Sequence, residues 1–170
     1  MYMNWGGDLM TYKHKRRSFL IKTEKILMES DSDDTLNFAE WTWKKAHLRY
    51  KEKDKYKNGS VYYRGIYWVH LGYNIGREQD KHRPVVVVRT EKNSPLCAII
   101  PLTTQRLNDN LWYHIDLDGF DNTALVEHFR VISKDRIDYQ MRKRGKYGKA
   151  GFEDMKKIKG EIKRMYASGI

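Results

Sequence analysis

The spacing of apolar residues changes along the chain and divides it into three zones. In the first zone, apolar positions recur at helical spacing and predict one helix over 13–29 and a second over 37–53. The acidic stretch 31–34 interrupts the pattern between them, and Asn37 is the predicted N-cap of the second helix. The Lys-rich residues that follow, up to Gly59, predict a linker.

In the second zone the spacing of apolar residues changes from the helical period to the shorter period of β-strands. Runs of β-branched and aromatic residues are separated by turn signals, with no helical pattern between them, which is typical of an antiparallel sheet closing into a small barrel. The five predicted strands are Val61–Leu71, Pro84–Thr90, Leu96–Thr104, Trp112–Leu117 and Ala124–Ser133.

The third zone is basic. The stretch Arg142–Lys149 predicts a mobile loop, and an apolar stripe from Phe152 to Tyr166 predicts an amphipathic helix that packs on the sheet. We therefore expect a helical N-terminal extension over 1–59 and a mainly β domain with a C-terminal helix over 60–170.

Composition narrows the class of protein. The 170 residues are 40% hydrophobic, enough to form a core and to exclude wholesale disorder. No apolar run approaches the length of a membrane span, no secretory signal is visible, and a single cysteine, Cys97, allows neither an internal disulfide nor a CxxC metal site. A cytoplasmic location without membrane contact is the expectation.

The net charge of +11 is unevenly distributed. Residues 60–140 are neutral overall, whereas residues 141–170 carry 10 Lys and Arg against 3 Asp and Glu. Such a surface attracts nucleic acid or an acidic partner, although a merely solvated basic face is equally compatible with the charge alone.

The common catalytic signatures are absent: there is no phosphate-binding glycine loop, HExxH, GxSxG or Cys/His cluster. This leaves chemistry without a metal, simple binding, or a two-metal nuclease with scattered carboxylates. Three segments carry polar groups at or inside buried strands, namely Gly72–Pro84, Pro101–Gln105 and Glu127–Arg130. Ordinary roles remain open for each: Arg83 as a strand-edge charge, Thr103 as a turn residue, and Glu127 with Arg130 as a surface pair.

The order and spacing of several motifs resemble the MazF/PemK toxin family. The motifs are Ile66–Gly72, Gly76–Gln79, Arg83–Val88, Pro101–Thr103 and Val126–Ile137, followed by the C-terminal helix. The resemblance implies a small SH3-like barrel, a homodimer, and cleavage of single-stranded RNA such as mRNA at short sequences without a metal or cofactor. It also implies inhibition by a partner antitoxin, for which the basic chain favours an acidic protein.

In such cleavage the 2′-hydroxyl of the RNA attacks the adjacent phosphate and leaves a 2′,3′-cyclic phosphate and a 5′-hydroxyl. The resemblance implies Arg83 and Thr103 as catalytic residues, which fits a fixed positive charge and a hydroxyl donor that stabilise the phosphate oxygens. Glu78, His82 and His128 are the candidates for proton transfer. The expected RNA contacts are Arg77, Gln79, Lys81, Thr104, Gln105 and Arg130.

Two departures from the family pattern affect the site. Asp80-Lys81-His82 stands where many relatives have glycines, and His128 stands where a glutamine is common. Residues 1–59 lie outside the resemblance and could pack on the barrel, extend an RNA surface or bind a partner. A non-catalytic binding module, or a topoisomerase-poisoning toxin of the same fold class, is the alternative function. The basic termini could also serve mainly to bind the antitoxin.

Overall fold

The computed structural model describes residues 9–51 and 61–167, and side chains from Tyr12 onward. Most of the predicted linker lies outside these ranges. The chain forms two compact units, Met1–Lys44 and Lys45–Ile170. The predicted boundary after residue 59 stays a prediction.

Two helices fill the N-terminal part of the chain, α1 (Leu9–Met28) and α2 (Asp33–Tyr50). The prediction of Asn37 as N-cap was wrong, because α2 begins four residues earlier. Ser32 caps it, since its Oγ accepts a hydrogen bond from the Thr35 backbone N–H at 3.3 Å. Two aspartates in the first turn of α2 complement the positive end of the helix dipole.

The C-terminal unit contains a seven-stranded sheet in which each of the described pairings is antiparallel. The predicted mainly β fold with flanking helices is confirmed. The strands are β1 (Ile66–Gly72), β2 (Lys81–Thr90), β3 (Leu96–Thr103), β4 (His114–Asp116), β5 (Thr123–Leu125), β6 (Arg130–Ser133) and β7 (Ile137–Gln140). Their order is β4-β5-β3-β2-β1-β7, and β6 also pairs with β3.

The predicted strand over 124–133 is interrupted. A 3-10 turn over Val126–His128 separates β5 from β6. The cause lies in β3, whose first half pairs with β6 while Leu102 and Thr103 at its end pair with β5. The intervening chain must turn between these two pairings, and this places Glu127 and His128 at a corner rather than in a strand.

The basic stretch before the last helix is ordered, so the prediction of a mobile loop was wrong. Strands β8 (Arg142–Lys143) and β9 (Lys146–Tyr147) form a hairpin. Arg144 and Gly145 connect them with φ angles of 50° and 77°. Positive φ at both positions suits the two-residue turn that matches strand twist.

The sheet is buried on both faces. The four valines of β2 alternate between two apolar clusters, Val86 and Val88 in one, Val85 and Val87 in the other. The first cluster also contains Met155 and Ile158 of α3 (Phe152–Ala167), which confirms that the predicted helix packs on the sheet. Phe152 departs from the predicted buried stripe: it is exposed, and the Arg64 guanidinium lies 3.5 Å from its ring centroid.

The described helices include none with the length and apolar character needed to cross a membrane.

Candidate active site

Strand register brings the two predicted catalytic residues together. In the β2–β3 pair, Val85 lies opposite Pro101 and Val86 opposite Ile100. Continuing this antiparallel register by two residues places Arg83 level with Thr103. Directly opposed side chains of neighbouring strands have Cβ atoms about 5 Å apart. The hairpin therefore places a guanidinium and a hydroxyl side by side at the same end of two central strands of the sheet.

Both residues line one open cleft with a volume of about 410 Å³. Six predicted site residues contribute to its wall: Lys81, His82, Arg83, Thr103, Thr104 and Gln105. The remaining lining comes from Trp68, Pro84, Leu102, Asn122 and Met141. A cleft with an apolar floor and several convergent polar groups is the usual form of a ligand site.

Arg83 is oriented by its neighbour Asp80. Its Nε donates to the Asp80 carbonyl oxygen at 2.8 Å, and Nη2 lies 3.5 Å from the Asp80 carboxylate. About a third of the Arg83 side chain, 32%, remains exposed. The guanidinium has five N–H donors, so these two contacts leave donors for an anionic ligand in the cleft.

Thr103 is nearly buried, with 8% of its surface exposed. Its Oγ1 accepts a hydrogen bond from the Gln105 backbone N–H at 3.2 Å. Since that contact uses an acceptor site of the hydroxyl, the hydroxyl proton is available to an oxygen entering the cleft.

The loop between β1 and β2 is tied to the sheet through Gln79. The Gln79 carbonyl oxygen accepts from Asn74 Nδ2 at 2.8 Å and from Arg130 Nη2 at 3.1 Å. Arg130 thus anchors this loop rather than forming a surface pair with Glu127. Arg77 and Glu78 are exposed on the same loop, outside the wall of the cleft.

A polar network lies at the corner between β5 and β6. The buried His114 has Nδ1 at 2.6 Å from Asp109 and Nε2 at 3.0 Å from Glu127. The same Glu127 oxygen lies 3.7 Å from His128 Nε2. Tyr166 of α3 holds this corner by donating its hydroxyl to the Glu127 carbonyl oxygen at 2.9 Å.

His128 is neutral at neutral pH. Burial lowers the pKa of its imidazole below the ordinary 6.5, and the charge of Arg130 lowers it further. Glu127 and Glu78 act in the opposite direction without reversing the shift. A neutral imidazole there can accept a proton.

Sequence reasoning missed Asp80, Trp68 and Asn122. In the sequence, Asp80 is only a residue three positions before Arg83. That spacing does not predict an ion pair unless the backbone conformation is known. Trp68 belongs to the resemblance motif, but its place in the cleft wall follows from the β1–β2 pairing, where it lies opposite Pro84.

Trp68 and Met141 also line a second, larger cleft of about 960 Å³ on the other side of β1. Its wall adds Tyr62, Tyr139 and Tyr147, all more than half exposed, together with Arg142 and Lys149. Exposed aromatic rings flanked by cations suit unpaired bases and their phosphates. The smaller cleft remains the candidate for chemistry, since it contains Arg83 and Thr103.

Among the described residues, one group has the composition and spacing of metal ligands: His70, His82 and Asp138. The prediction that no metal takes part in the chemistry stays a prediction.

Comparisons with known proteins agree with this fold. Residues 63–166 match the sequence profile of a family described as PemK-like, MazF-like toxin of type II toxin-antitoxin system. No curated protein matches the chain.

Among solved structures, MazF from Deinococcus radiodurans aligns with 16% identity and a TM-score of 0.52, covering 63% of this chain and 96% of its own. That likeness shows a common fold. MazE-MazF from the same organism (16% identity, TM-score 0.47, covering 61% of this chain and 93% of its own) is also similar. So is the Mycobacterium tuberculosis toxin MazF-mt6 (14% identity, TM-score 0.44, covering 61% and 97%). Because the profile match spans more than half of its residues, the chain belongs to the PemK-like, MazF-like toxins of type II toxin–antitoxin systems.

Proposed function

We propose that this protein is an endoribonuclease toxin that cleaves single-stranded RNA without a metal, leaving 2′,3′-cyclic phosphate and 5′-hydroxyl ends. Toxins of this family are generally ribonucleases. The observation that carries the proposal is the shared cleft in which Arg83 and Thr103 lie side by side.

In this mechanism the 2′-oxygen forms a bond to phosphorus while the bond from phosphorus to the 5′-oxygen breaks. Negative charge grows on the non-bridging oxygens. The Arg83 guanidinium, fixed by Asp80, donates to these oxygens and to the leaving oxygen, and the Thr103 hydroxyl donates a further hydrogen bond. One well-placed donor of this kind contributes about 3 kcal/mol to the transition state.

Two protons must move. The neutral imidazole of His128 accepts the proton of the 2′-hydroxyl, either directly or through water. His82, which lines the cleft beside Arg83, supplies the proton to the 5′-oxygen. Glu78 raises the pKa of His128 and so acts against the lowering by burial. Lys81, Thr104 and Gln105 are proposed to contact the substrate at the rim, together with Arg77 on the loop. Gln79 and Arg130 support that loop.

The partner that restrains this activity is proposed to be an acidic protein antitoxin, in keeping with the family's description as one half of a toxin–antitoxin system. The excess of cations over residues 141–170 supports that sign of charge. A homodimer and a cytoplasmic location remain part of the proposal.

The proposal is tested with variants of the two central residues. Arg83→Ala and Thr103→Val each remove one donor and are expected to lower kcat/KM by about 100-fold. Arg89→Ala removes a mostly exposed arginine of the same strand, and Thr103→Ser keeps the hydroxyl; both should stay within a few-fold of wild type. Wild-type rates in folded Arg83→Ala or Thr103→Val protein would refute these assignments, and intact RNA with every variant would favour a binding module.

A further inference from the structure

Two imidazoles and a carboxylate meet on the sheet next to the cleft. His70 of β1 and His82 of β2 are cross-strand partners, and their rings stack with centroids 4.5 Å apart. Asp138 of β7 reaches both histidines: its Oδ2 lies 3.4 Å from His82 Nε2 and 3.9 Å from His70 Nε2. Three adjacent strands therefore each contribute one group.

The separations fit a transition-metal site. One ligand atom from each of the three residues lies within 4.8 Å of the other two. A tetrahedral Zn²⁺ with nitrogen and oxygen ligands at about 2.1 Å places neighbouring ligand atoms about 3.4 Å apart. Small side-chain rotations would close the remaining difference. Imidazole and carboxylate ligands suit Zn²⁺ and related divalent ions of the first transition row.

The surroundings hold these ligands in place while leaving access to solvent. The side chains of His70, His82 and Asp138 are 20%, 34% and 38% exposed. Trp68 lies beside His82 with ring centroids 5.2 Å apart, and Arg136 donates to the carbonyl oxygens of His70 and Leu71. The backbone at the end of β1 is thus fixed, and the cluster reaches solvent through the exposed parts of its side chains, while His82 Nε2 itself is buried.

We propose that His70, His82 and Asp138 form a three-ligand binding site for a divalent transition-metal cation such as Zn²⁺. A bound ion would join β2, β1 and β7 across the sheet. Since it binds the folded chain and not the unfolded one, it would stabilise the domain. The site is not catalytic: it lies on the flank of the cleft, and the proposed cleavage of RNA needs no metal.

A metal ion bound at this site is expected to affect RNA cleavage, and this expectation rests on the proposed function. His82 also lines the cleft, and an ion bound at its Nε2 would take the place of a proton there, so that the ring could not become the imidazolium that gives up a proton. Zinc is therefore expected to slow RNA cleavage, and its removal by a chelator should leave cleavage at its full rate.

Binding is tested by titrating ZnCl₂ into chelator-treated full-length protein in a calorimeter at neutral pH. We expect one Zn²⁺ per chain, a higher Tm with zinc, and an affinity at least about 10-fold lower in His70→Gln and in Asp138→Asn. His14→Gln and Asp121→Asn remove one histidine and one aspartate outside the cluster, and should bind like wild type. Circular dichroism and the zinc-free Tm confirm that each variant is folded.

Equal affinity in wild type, His70→Gln and Asp138→Asn would overturn the site and leave the cluster as a histidine–aspartate ion pair. To test the effect of zinc on RNA cleavage, the ratio of cleavage rates with and without zinc is measured for the wild type and for each variant. Slowing in wild type but not in His70→Gln supports it, whereas zinc binding without slowing contradicts the role of His82 as proton donor. A metal-free protein that does not cut RNA refutes the proposed function, while calorimetry still decides the site.

Discussion

Arg83 is held by two different contacts from one residue, and they do different work. The Asp80 backbone carbonyl fixes the direction of Nε, whereas the Asp80 carboxylate forms an ion pair with Nη2 and offsets part of the charge that a phosphate would meet. The carbonyl therefore orients the Nε side of the guanidinium, while the carboxylate both holds Nη2 and lowers the positive charge available to a ligand.

Asp80→Asn leaves the backbone acceptor at Nε but removes the ion pair at Nη2. RNA should then bind more tightly because the negative charge is gone, while the guanidinium is less well fixed on its Nη2 side. We expect KM to fall and kcat to drop by about 10-fold, because a small misplacement of a catalytic group slows the chemical step. Steady-state kinetics on a short RNA would measure both.

The matched control is Asp121→Asn, which removes an exposed charge, the carboxylate being 90% exposed. It should leave kcat unchanged. A parallel change of kcat in both variants would show that net charge, and not the fixing of Arg83, is responsible.

His128 predicts a pH dependence. Its pKa is lowered by burial, so the imidazole is neutral at pH 6.5 and above and able to accept a proton there. The acidic limb of kcat/KM for the wild type should therefore lie at pH values below 6.5. His128→Gln should lower the plateau by about 100-fold and abolish this acidic limb. His14→Gln should keep both, and a limb that survives in His128→Gln would assign it to another group.

At the residue scale, the sequence predicted Arg83 and Thr103 as catalytic residues, which stays a prediction, but it did not predict the contacts around them. Both residues were predicted from motifs that the sequence contains, Arg83–Val88 and Pro101–Thr103. The ion pair with Asp80 and the contact of Glu127 with His114 depend on strand register and on the corner between β5 and β6, neither of which periodicity encodes.

Among the elements, α3 connects the core to the site. Its Met155 and Ile158 lie in the apolar cluster of the sheet, and its Tyr166 holds the corner that carries Glu127 and His128. The start of α3 is fixed by Asp154, 3% exposed, whose Oδ2 accepts from the backbone N–H groups of Gly151 and Asp118 at 3.1 and 3.2 Å.

Asp154→Ala should therefore destabilise the domain. It leaves the Gly151 N–H at the start of α3 and the Asp118 N–H in the turn after β4 without their acceptor, for which we expect a loss of about 2 kcal/mol in the free energy of unfolding. Urea denaturation with an unchanged m-value measures this loss. Glu153→Ala, at the neighbouring exposed position, should change it by less than about 0.5 kcal/mol. Equal effects of the two substitutions would contradict the role of Asp154.

Element types were predictable where a pattern was long, as in β2, β3 and α3. The predictions of secondary structure were wrong where a local contact determines the conformation. Ser32 rather than Asn37 starts α2 because its hydroxyl caps the first turn. The Arg144–Gly145 turn closes a hairpin inside a stretch whose charge alone indicated a loop. The 3-10 turn interrupts an apolar run because β3 pairs with two partners.

For the whole molecule, the two clefts share Trp68 and Met141 in their walls, and we propose that a bound RNA strand extends from one cleft into the other. Arg142 and Lys149 on the larger cleft are then expected to contact flanking phosphates. Part of the positive charge near the C-terminus is then expected to bind RNA directly.

The double variant Arg142→Gln/Lys149→Gln should weaken RNA binding and flatten its salt dependence. The slope of log affinity against log salt should fall by about 0.7 for each phosphate that the variant no longer neutralises. Lys156→Gln/Lys157→Gln removes the same charge from exposed positions of α3 and should change the slope less. Fluorescence anisotropy over a range of salt concentrations, with RNA blocked at the 2′-hydroxyl, measures both. Identical slopes would show that only net charge matters.

The most direct measurement is the chemistry of the RNA ends that the full-length protein produces in excess EDTA. A long unstructured RNA should be cut at short defined sequences, with a 2′,3′-cyclic phosphate on one side and a 5′-hydroxyl on the other, and Arg83→Ala should leave it intact. Cleavage that stops in EDTA, 5′-phosphate ends, or RNA left whole by the wild-type protein would contradict the proposed ribonuclease.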